Sequence, residues 1–265
     1  MLKTILLLAG LTYLALAAFA YFTADRQIFL PPAASYSARE LPVTLVPADG
    51  GVRIAVLHLP NPASAFTILY SHGNAEDLGH LAPVLQELHE AGFSVLGYDY
   101  RGYGASTGAP PSTEGAYRDL AAVYRYATED LGIPPSRIVL YGRSVGSGPA
   151  TDLAAREPVA GLVIESGFTS IFRVVTRVPL LPFDRFPNLK NVRRVRSPVL
   201  VIHGTDDEVI PFSHGKQLYE AAAEPKRFLW VGGAGHNDLA WVARDAYWNA
   251  LREFEALLRD RAAGP

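Results

Sequence analysis

The motif Gly142-Arg143-Ser144-Val145-Gly146 places a hydroxyl between two glycines, directly after an apolar run that is typical of a strand. Glycines two residues to either side of a serine allow a turn so sharp that a Cβ there would clash, and the turn leaves the serine Oγ exposed. A helix following such a turn points its backbone N–H groups at a developing negative charge. The motif therefore predicts that Ser144 is a nucleophile.

A serine nucleophile needs a base to take its proton and an acid to orient that base. His236 lies between the last predicted strand and the last predicted helix, a position that brings a base to the carboxyl edge of a sheet. Three carboxylates follow the predicted strand 199–202, and of these we select Asp207. The chain order is then serine, acid, histidine, one of the orders in which such triads occur. Asp206 is expected to brace the turn, and Glu165 is a further candidate acid.

Attack on a carbonyl also needs two amides that face the oxygen as it becomes negative. The N–H of Val145 is one candidate, since it follows the serine directly. The loop after the third predicted strand supplies the second, and we assign it to Asn74, with Ala75 as the alternative. A plain turn would also explain the glycine in this loop.

An alternative interpretation is that the same residues form a dinucleotide-binding site, because Gly142, Gly146 and Gly148 resemble the glycine pattern of short-chain dehydrogenases. Two features oppose it. The motif follows the fifth predicted strand instead of the first, and no lysine lies four residues after a tyrosine.

The amino-acid composition excludes several classes of site and partner. The chain has 265 residues and no cysteine, which excludes disulfides, thiolate metal sites and cysteine nucleophiles. Its net charge of −2 provides no basic field for nucleic acid. Hydrophobic residues at 49% indicate an ordered core. We expect no metal and no organic cofactor.

Short apolar runs alternate with amphipathic stretches, a rhythm typical of an α/β fold with a largely parallel sheet and helices on both faces. The first two strands read as an antiparallel hairpin, and helices are expected over 113–131, over 212–223 and from Leu239. Eight strands are predicted, at 41–46, 52–58, 66–71, 94–98, 138–141, 161–164, 199–202 and 228–231.

Between the sixth and seventh strands the alternation stops. This stretch is rich in apolar residues and broken by prolines, which favours a short apolar lid over a site. Phe168, Phe172 and Phe183 are its candidate substrate-binding residues. Ordinary packing on the sheet edge is the alternative.

The N-terminus carries an uncharged run over 5–22, just long enough to span a bilayer. We therefore divide the chain into an anchor or signal segment, 1–26, and a catalytic domain, 27–265, joined by a tether with two prolines. A single-pass membrane anchor is expected, with the domain on the extracytoplasmic side. The basic residues on the two flanks of the segment give only a weak preference for this orientation. Secretion after cleavage near Ala20 and a buried N-terminal helix are the alternatives.

From about Arg39 onward the chain resembles the α/β-hydrolase superfamily, and most of all the membrane-associated branch that includes the eukaryotic α/β-hydrolase-domain protein depalmitoylases. In that pattern the serine, aspartate and histidine are Ser144, Asp207 and His236. The chain departs from that branch at the N-terminus, where an apolar segment replaces a cysteine cluster. The motifs that carry the resemblance are Asp99-Tyr100-Arg101-Gly102-Tyr103-Gly104, Phe186-Pro187-Asn188, Ser197-Pro198-Val199-Leu200-Val201-Ile202-His203-Gly204-Thr205, Asp207-Glu208-Val209-Ile210, Phe212-Ser213-His214-Gly215 and Gly233-Ala234-Gly235-His236-Asn237-Asp238.

The sequence thus predicts a serine hydrolase that cleaves esters or thioesters of hydrophobic acyl groups. The alternatives are a serine peptidase of the oligopeptidase type, which shares fold and triad, and a non-catalytic membrane-anchored binding protein. The expected partners are an acyl ester substrate and a membrane; nothing in the sequence predicts the oligomeric state.

Overall fold

An eight-stranded sheet forms the centre of the protein in the computed structural model, which describes residues 1–37, 39–108 and 110–263. Four positions of the predicted domain 27–265 lie outside the described residues. The strands are β1 (Thr44–Pro47), β2 (Arg53–Leu59), β3 (Thr67–Ser71), β4 (Ser94–Tyr98), β5 (Ile138–Arg143), β6 (Gly161–Glu165), β7 (Val199–Gly204) and β8 (Lys226–Val231).

The strand order across the sheet is β1-β2-β4-β3-β5-β6-β7-β8. The pairs β1–β2 and β2–β4 are antiparallel, and all the others are parallel. The predicted eight-stranded, mostly parallel sheet is confirmed. Because the parallel strands end at one edge, the loops that follow β3, β5, β6, β7 and β8 gather there.

The described residues form nine α-helices, and the longer ones after the first cover the two faces of this sheet. The nine helices are α1 (Leu2–Ile28), α2 (Leu78–Glu90), α3 (Thr113–Arg125), α4 (Ser147–Ala154), α5 (Ile171–Thr176), α6 (Asn188–Val192), α7 (Ser213–Ala221), α8 (Leu239–Ala243) and α9 (Asp245–Ala263).

The core lies in two layers, one on each face, because successive side chains of a strand point in opposite directions. In β6, Leu162 and Ile164 belong to one buried cluster, which α3, α4 and α7 complete, and Val163 belongs to the other, which α2 and α9 complete. Strands buried on both faces explain the continuous apolar runs in the sequence.

Two helices in the structure differ in detail from those predicted from the sequence. The predicted helix 113–131 is α3 followed by a π turn, Tyr126–Asp130. The last predicted helix is two helices, because Arg244 has a left-handed φ of 50°, which a right-handed helix cannot continue. The sequence carries no glycine or proline there to mark the break.

The segment between β6 and β7 contains the short helices α5 and α6, which the sequence did not indicate. Its C-terminal part is fixed to α4: Asn188 Nδ2 donates to Ser147 Oγ at 3.1 Å, and the Phe186 ring packs over Gly148, where a Cβ would lie 2.3 Å from it. The residues between Val175 and Leu180 are mostly exposed.

Helix α1 has two parts with different surroundings. In its most apolar 18-residue window only 6% of the residues are buried, so the alternative of a buried helix is not supported. Its last turn is part of the domain, since Ala24 and Ile28 join the first core cluster. There Asp25 Oδ1 accepts hydrogen bonds from the Thr113 hydroxyl at 2.7 Å and from the Thr113 N–H at 3.2 Å.

Candidate active site

A tight turn presents Ser144 at the end of β5. The residue has a left-handed φ of 52°, a strained backbone conformation for any residue other than glycine. The turn needs its glycines: a Cβ on Gly146 would lie 2.0 Å from the Ser71 carbonyl oxygen, and one on Gly142 would lie 2.5 Å from the Gly146 carbonyl oxygen. The predicted strand, turn and helix are therefore all present around Ser144.

Ser144, His236 and Asp207 lie in one chain of hydrogen bonds. The Ser144 Oγ is 3.0 Å from His236 Nε2, and His236 Nδ1 is 2.8 Å from Asp207 Oδ2. The three residues are 7–8% exposed. The fold thus brings together the three residues selected from the sequence, with the imidazole between the hydroxyl and the carboxylate, which is the geometry that proton transfer from serine requires.

The loop after β7 holds the Asp207 carboxylate in its charged form. Its Oδ1 accepts from the backbone N–H groups of Val209 at 3.0 Å and Ile210 at 2.7 Å. Burial raises the pKa of Asp207, but the hydrogen bonds from His236 and the Ile210 N–H outweigh this, so the net pKa lies below its ordinary value. The carboxylate is therefore ionised at neutral pH and can stabilise an imidazolium.

The two alternative acids have other partners. Asp206 Oδ1 accepts from the Thr205 hydroxyl at 2.8 Å. Glu165, the last residue of β6, accepts from the Tyr141 hydroxyl and from the Tyr247 hydroxyl, the latter at 2.7 Å. Within the described part of the chain, neither carboxylate is hydrogen-bonded to His236, which favours Asp207.

The loop after β3 lies beside the nucleophile, since a Cβ on Gly73 would be 3.5 Å from the Ser144 Cβ. The side-chain oxygen of Asn74 accepts three hydrogen bonds: from the N–H of Leu30 at 2.9 Å, the N–H of Ala75 at 2.8 Å and the hydroxyl of Tyr103 at 3.0 Å. The Ala75 amide is thereby occupied. Across the residues that the structure describes, the Asn74 N–H has no acceptor, which favours Asn74 over Ala75 as an oxyanion donor.

Arg143 links the loops around the nucleophile, and sequence reasoning missed it. Its guanidinium donates to Glu76 Oε1 at 3.0 Å and to Asn237 Oδ1 at 2.6 Å, and its Nε lies 3.3 Å from Glu165 Oε1. Glu76 Oε1 also accepts from the N–H of Gly73 at 2.6 Å. One side chain therefore ties the Asn74 loop, the His236 loop and the end of β6 together.

The three predicted substrate-binding phenylalanines have different surroundings. Phe168 is 1% exposed and packs in the first core cluster, with its ring 6.2 Å from that of Phe186. Phe172 and Phe183 are half-buried, with ring centroids 5.7 Å apart. Their role with substrate stays a prediction.

Two further histidines lie close to the triad. His203 Nε2 is 2.9 Å from the Ile210 carbonyl oxygen and 3.4 Å from Asp207 Oδ2. His214 Nδ1 accepts from the Thr169 N–H at 3.1 Å. Burial, with His203 and Arg173 nearby, lowers the pKa of His214 to about 4. Both histidines therefore have the local hydrogen bonds expected of structural residues. The described residues contain no group of three or more His, Asp or Glu side chains that could hold a metal ion.

The sheet order, the turn at Ser144 and the Ser144–His236–Asp207 chain together define an α/β hydrolase. Residues 62–181 match the family model described as serine aminopeptidase, S33. The chain is 39% identical over 226 residues to α/β hydrolase domain-containing protein 17B of Homo sapiens, covering 83% of this chain and 77% of that protein. It is 46% identical over 198 residues to α/β hydrolase domain-containing protein aho-3 of Caenorhabditis elegans, covering 74% of this chain and 59% of the worm protein.

These relatives show that the chain belongs to the α/β hydrolase domain-containing family, which confirms the resemblance found in the sequence and supports a hydrolase. Solved structures agree on the fold. An esterase from Pyrococcus furiosus superposes with a TM-score of 0.70 at 19% identity, covering 85% of this chain and 98% of that one. The esterase RhEst1 from Rhodococcus superposes with a TM-score of 0.65 at 21% identity, covering 82% and 99%.

Proposed function

We propose that this hydrolase cleaves carboxylic esters or thioesters of hydrophobic acyl groups, with Ser144 as nucleophile, His236 as base and Asp207 as the acid that orients it. The observation that carries the proposal is the hydrogen-bonded chain from Ser144 Oγ through the imidazole to Asp207. The N–H groups of Asn74 and Val145 complete the proposed machinery as the oxyanion donors.

In the first half of the proposed reaction, Ser144 Oγ attacks the acyl carbonyl carbon while His236 Nε2 takes the hydroxyl proton. The carbonyl oxygen becomes an anion, which the two backbone N–H groups stabilise. Asp207 stabilises the imidazolium. When the intermediate collapses, the bond to the leaving group breaks, and His236 gives its proton to the departing alcohol or thiol.

In the second half, a water molecule attacks the acyl-enzyme carbonyl and His236 takes one of its protons. Collapse of this intermediate breaks the bond to Ser144 Oγ, which recovers its proton from His236. The products are the free carboxylic acid and the resting enzyme, so no co-reactant besides water is needed.

The hydrophobic acyl class rests on the segment between β6 and β7. Arg143 pairs with Glu165 in the sheet, so this segment leaves the same edge at which Ser144 follows Arg143. The half-buried rings of Phe172 and Phe183 give it an apolar surface, which suits an acyl chain better than a sugar.

We also propose that α1 anchors the protein as a single membrane pass, with the domain on the extracytoplasmic side. The helix has 27 residues and a mean hydropathy of 2.1 in its most apolar window. Carbonate extraction of membranes and the intact mass of the mature chain test this. Release by carbonate, or a mass that begins after Ala20, would contradict the anchor in favour of a secreted form.

A fluorophosphonate probe and p-nitrophenyl esters of graded chain length test the reaction on the full chain in detergent. We expect the probe to label Ser144 and the longer esters to be turned over. Ser144→Ala should lose both, whereas Ser136→Ala, which removes an exposed hydroxyl at the opposite edge of the sheet, should lose neither. A folded wild-type protein that takes no label would refute the serine hydrolase and leave a binding protein.

The second candidate is a serine peptidase, which the description of the matching family model favours. Aminoacyl p-nitroanilides offered to the same preparation distinguish the two. Turnover of the anilides at rates comparable to the esters, lost in Ser144→Ala, would favour the peptidase.

A further inference from the structure

The tip of the segment between β6 and β7, residues 178–182, is apolar and exposed. We call it the lid tip. Val178 is 50% and Leu180 is 58% exposed, and nearby Val175 is 82% exposed. Exposed aliphatic side chains that lie together are costly in water and mark a surface that something apolar covers.

Helix α1 runs alongside this segment. The Tyr13 hydroxyl donates to the Leu180 carbonyl oxygen at 3.0 Å. Further along, the Tyr21 and Phe183 rings lie 5.2 Å apart, and the guanidinium of Arg185 lies 4.9 Å from the Tyr21 ring centre. The exposed apolar surface of the lid tip is therefore continuous with that of α1.

The contact at Tyr13 fixes the depth of the lid tip relative to the helix. From Leu2 to Phe22 a helix extends about 30 Å, which matches the hydrocarbon core of a bilayer. From Leu2 to Tyr13 it extends only about 17 Å. If water reached the lid tip, the part of α1 left for the membrane would be too short to cross. A spanning α1 thus takes the lid tip into the bilayer with it.

Part of the polar backbone of the lid tip has partners within the protein, as a medium without water requires of polar groups. Pro179 and Pro182 have no N–H. The Val178 carbonyl oxygen accepts from the Thr176 hydroxyl at 2.7 Å and from the Leu180 N–H at 2.9 Å. The Leu180 carbonyl oxygen accepts from Tyr13, as described above.

We propose that the lid tip inserts into the membrane leaflet on the side of the domain, the leaflet that the C-terminal part of α1 crosses before it joins the domain. The lid tip and α1 are then both in contact with lipid. Arg177, which precedes the tip and is exposed, keeps its guanidinium at the headgroups by extending its side chain toward water. This proposal rests on the proposed anchor but not on the proposed reaction.

The test uses the full chain, which has no cysteine, so that one introduced thiol is unique. Leu180→Cys carries an environment-sensitive NBD label at the lid tip. Leu7→Cys carries it on the exposed part of α1, and Ser136→Cys on the far edge of the sheet. Each protein is reconstituted in phosphatidylcholine vesicles and exposed to aqueous iodide or to nitroxide-bearing lipids.

We expect nitroxide lipids to quench the label at positions 7 and 180, and iodide to quench it only at position 136. Iodide quenching at 180 together with lipid quenching at 7 overturns lid insertion and leaves the anchor intact. Iodide quenching at both overturns the anchor and lid insertion together. Fluorophosphonate labelling of the same vesicles reports separately on the proposed reaction.

Discussion

Arg143 offers the sharpest test of how the candidate site is held together. Replacing it with methionine keeps much of the apolar stem and removes the donors to Glu76, Asn237 and Glu165. The loops that carry Asn74 and His236 would then lose their shared partner. We expect Arg143→Met to lower both stability and catalytic rate, and Arg143→Lys to recover part of each, since lysine keeps the charge but cannot reach all three acceptors at once.

The size of the effect follows from the surroundings of the three partners. Breaking a fully buried ion pair costs about 3–5 kcal/mol. Here the side chains of Arg143 and Glu76 are 16% and 21% exposed, and Glu165 keeps the Tyr141 and Tyr247 hydroxyls. We therefore expect a loss of about 2 kcal/mol, which lowers Tm by about 5 °C. Small shifts of the two loops should reduce kcat/KM about tenfold, equivalent to about 1.4 kcal/mol.

Thermal unfolding and ester hydrolysis well below Tm measure the two effects separately, with rates divided by the fraction of sites that the fluorophosphonate labels. Arg156→Met is the matched control, because the Arg156 side chain is 43% exposed and pairs locally with Asp152, four residues earlier, at the C-terminal end of α4. Its loss should be below about 0.5 kcal/mol, with no change in rate. A lower Tm with an unchanged rate per labelled site would refute a positioning role for Arg143, and an unchanged Tm would refute the network itself.

Substitutions at three further positions test other parts of the site. Asp207→Asn should reduce kcat about 10⁴-fold with little loss of fold, since His236 loses the acceptor that orients it; a loss below tenfold would contradict Asp207 as the acid. Asn74→Ala removes the acceptor of the Leu30 N–H and should slow fluorophosphonate labelling about tenfold. Asn74→Asp keeps an acceptor and should slow labelling less. Equal labelling rates in the wild type and both variants would contradict a role of the Asn74 side chain in positioning its loop. His214 has its pKa lowered from 6.5 to about 4, so its neutral form contributes stability that is present above pH 6.5 and is lost as the pH falls toward 4, by about 2–3 kcal/mol. His214→Asn should lose less stability than the wild type between pH 7 and pH 4 in urea unfolding, whereas a constant difference between the two would contradict this assignment.

Local patterns were enough to predict the sheet and to select the residues around Ser144. Each parallel strand is a short apolar run closed by a turn, and the residues after β5, β7 and β8 must meet because parallel strands end at one edge. Ser144, Asp207 and His236 lie within hydrogen-bonding distance for that reason. Their catalytic roles stay predictions until the serine is labelled.

What local patterns could not predict depends on contacts between distant parts of the chain. The partners of Arg143 in the two loops are 67 and 94 residues away in sequence, and nothing near Arg143 indicates them. The second oxyanion donor was assigned to Asn74 from its position alone, because the hydrogen bond from the Ala75 N–H to the Asn74 side chain could not be predicted from local patterns. The left-handed Arg244 likewise lacks the residue type that usually marks such a break.

The stretch that follows α1 shows how contacts between distant parts of the chain, which local patterns do not predict, affect the orientation of the site. Its two prolines led us to expect a tether, yet it is pinned at successive points: Leu30 donates to Asn74, and the Ser35 N–H donates to Asp77 Oδ2 at 2.7 Å. Asp25, at the end of α1, accepts from Thr113 at the start of α3. An apolar helix joined this rigidly cannot turn freely relative to the sheet. Whatever surface holds α1 therefore also sets the direction in which Ser144 faces.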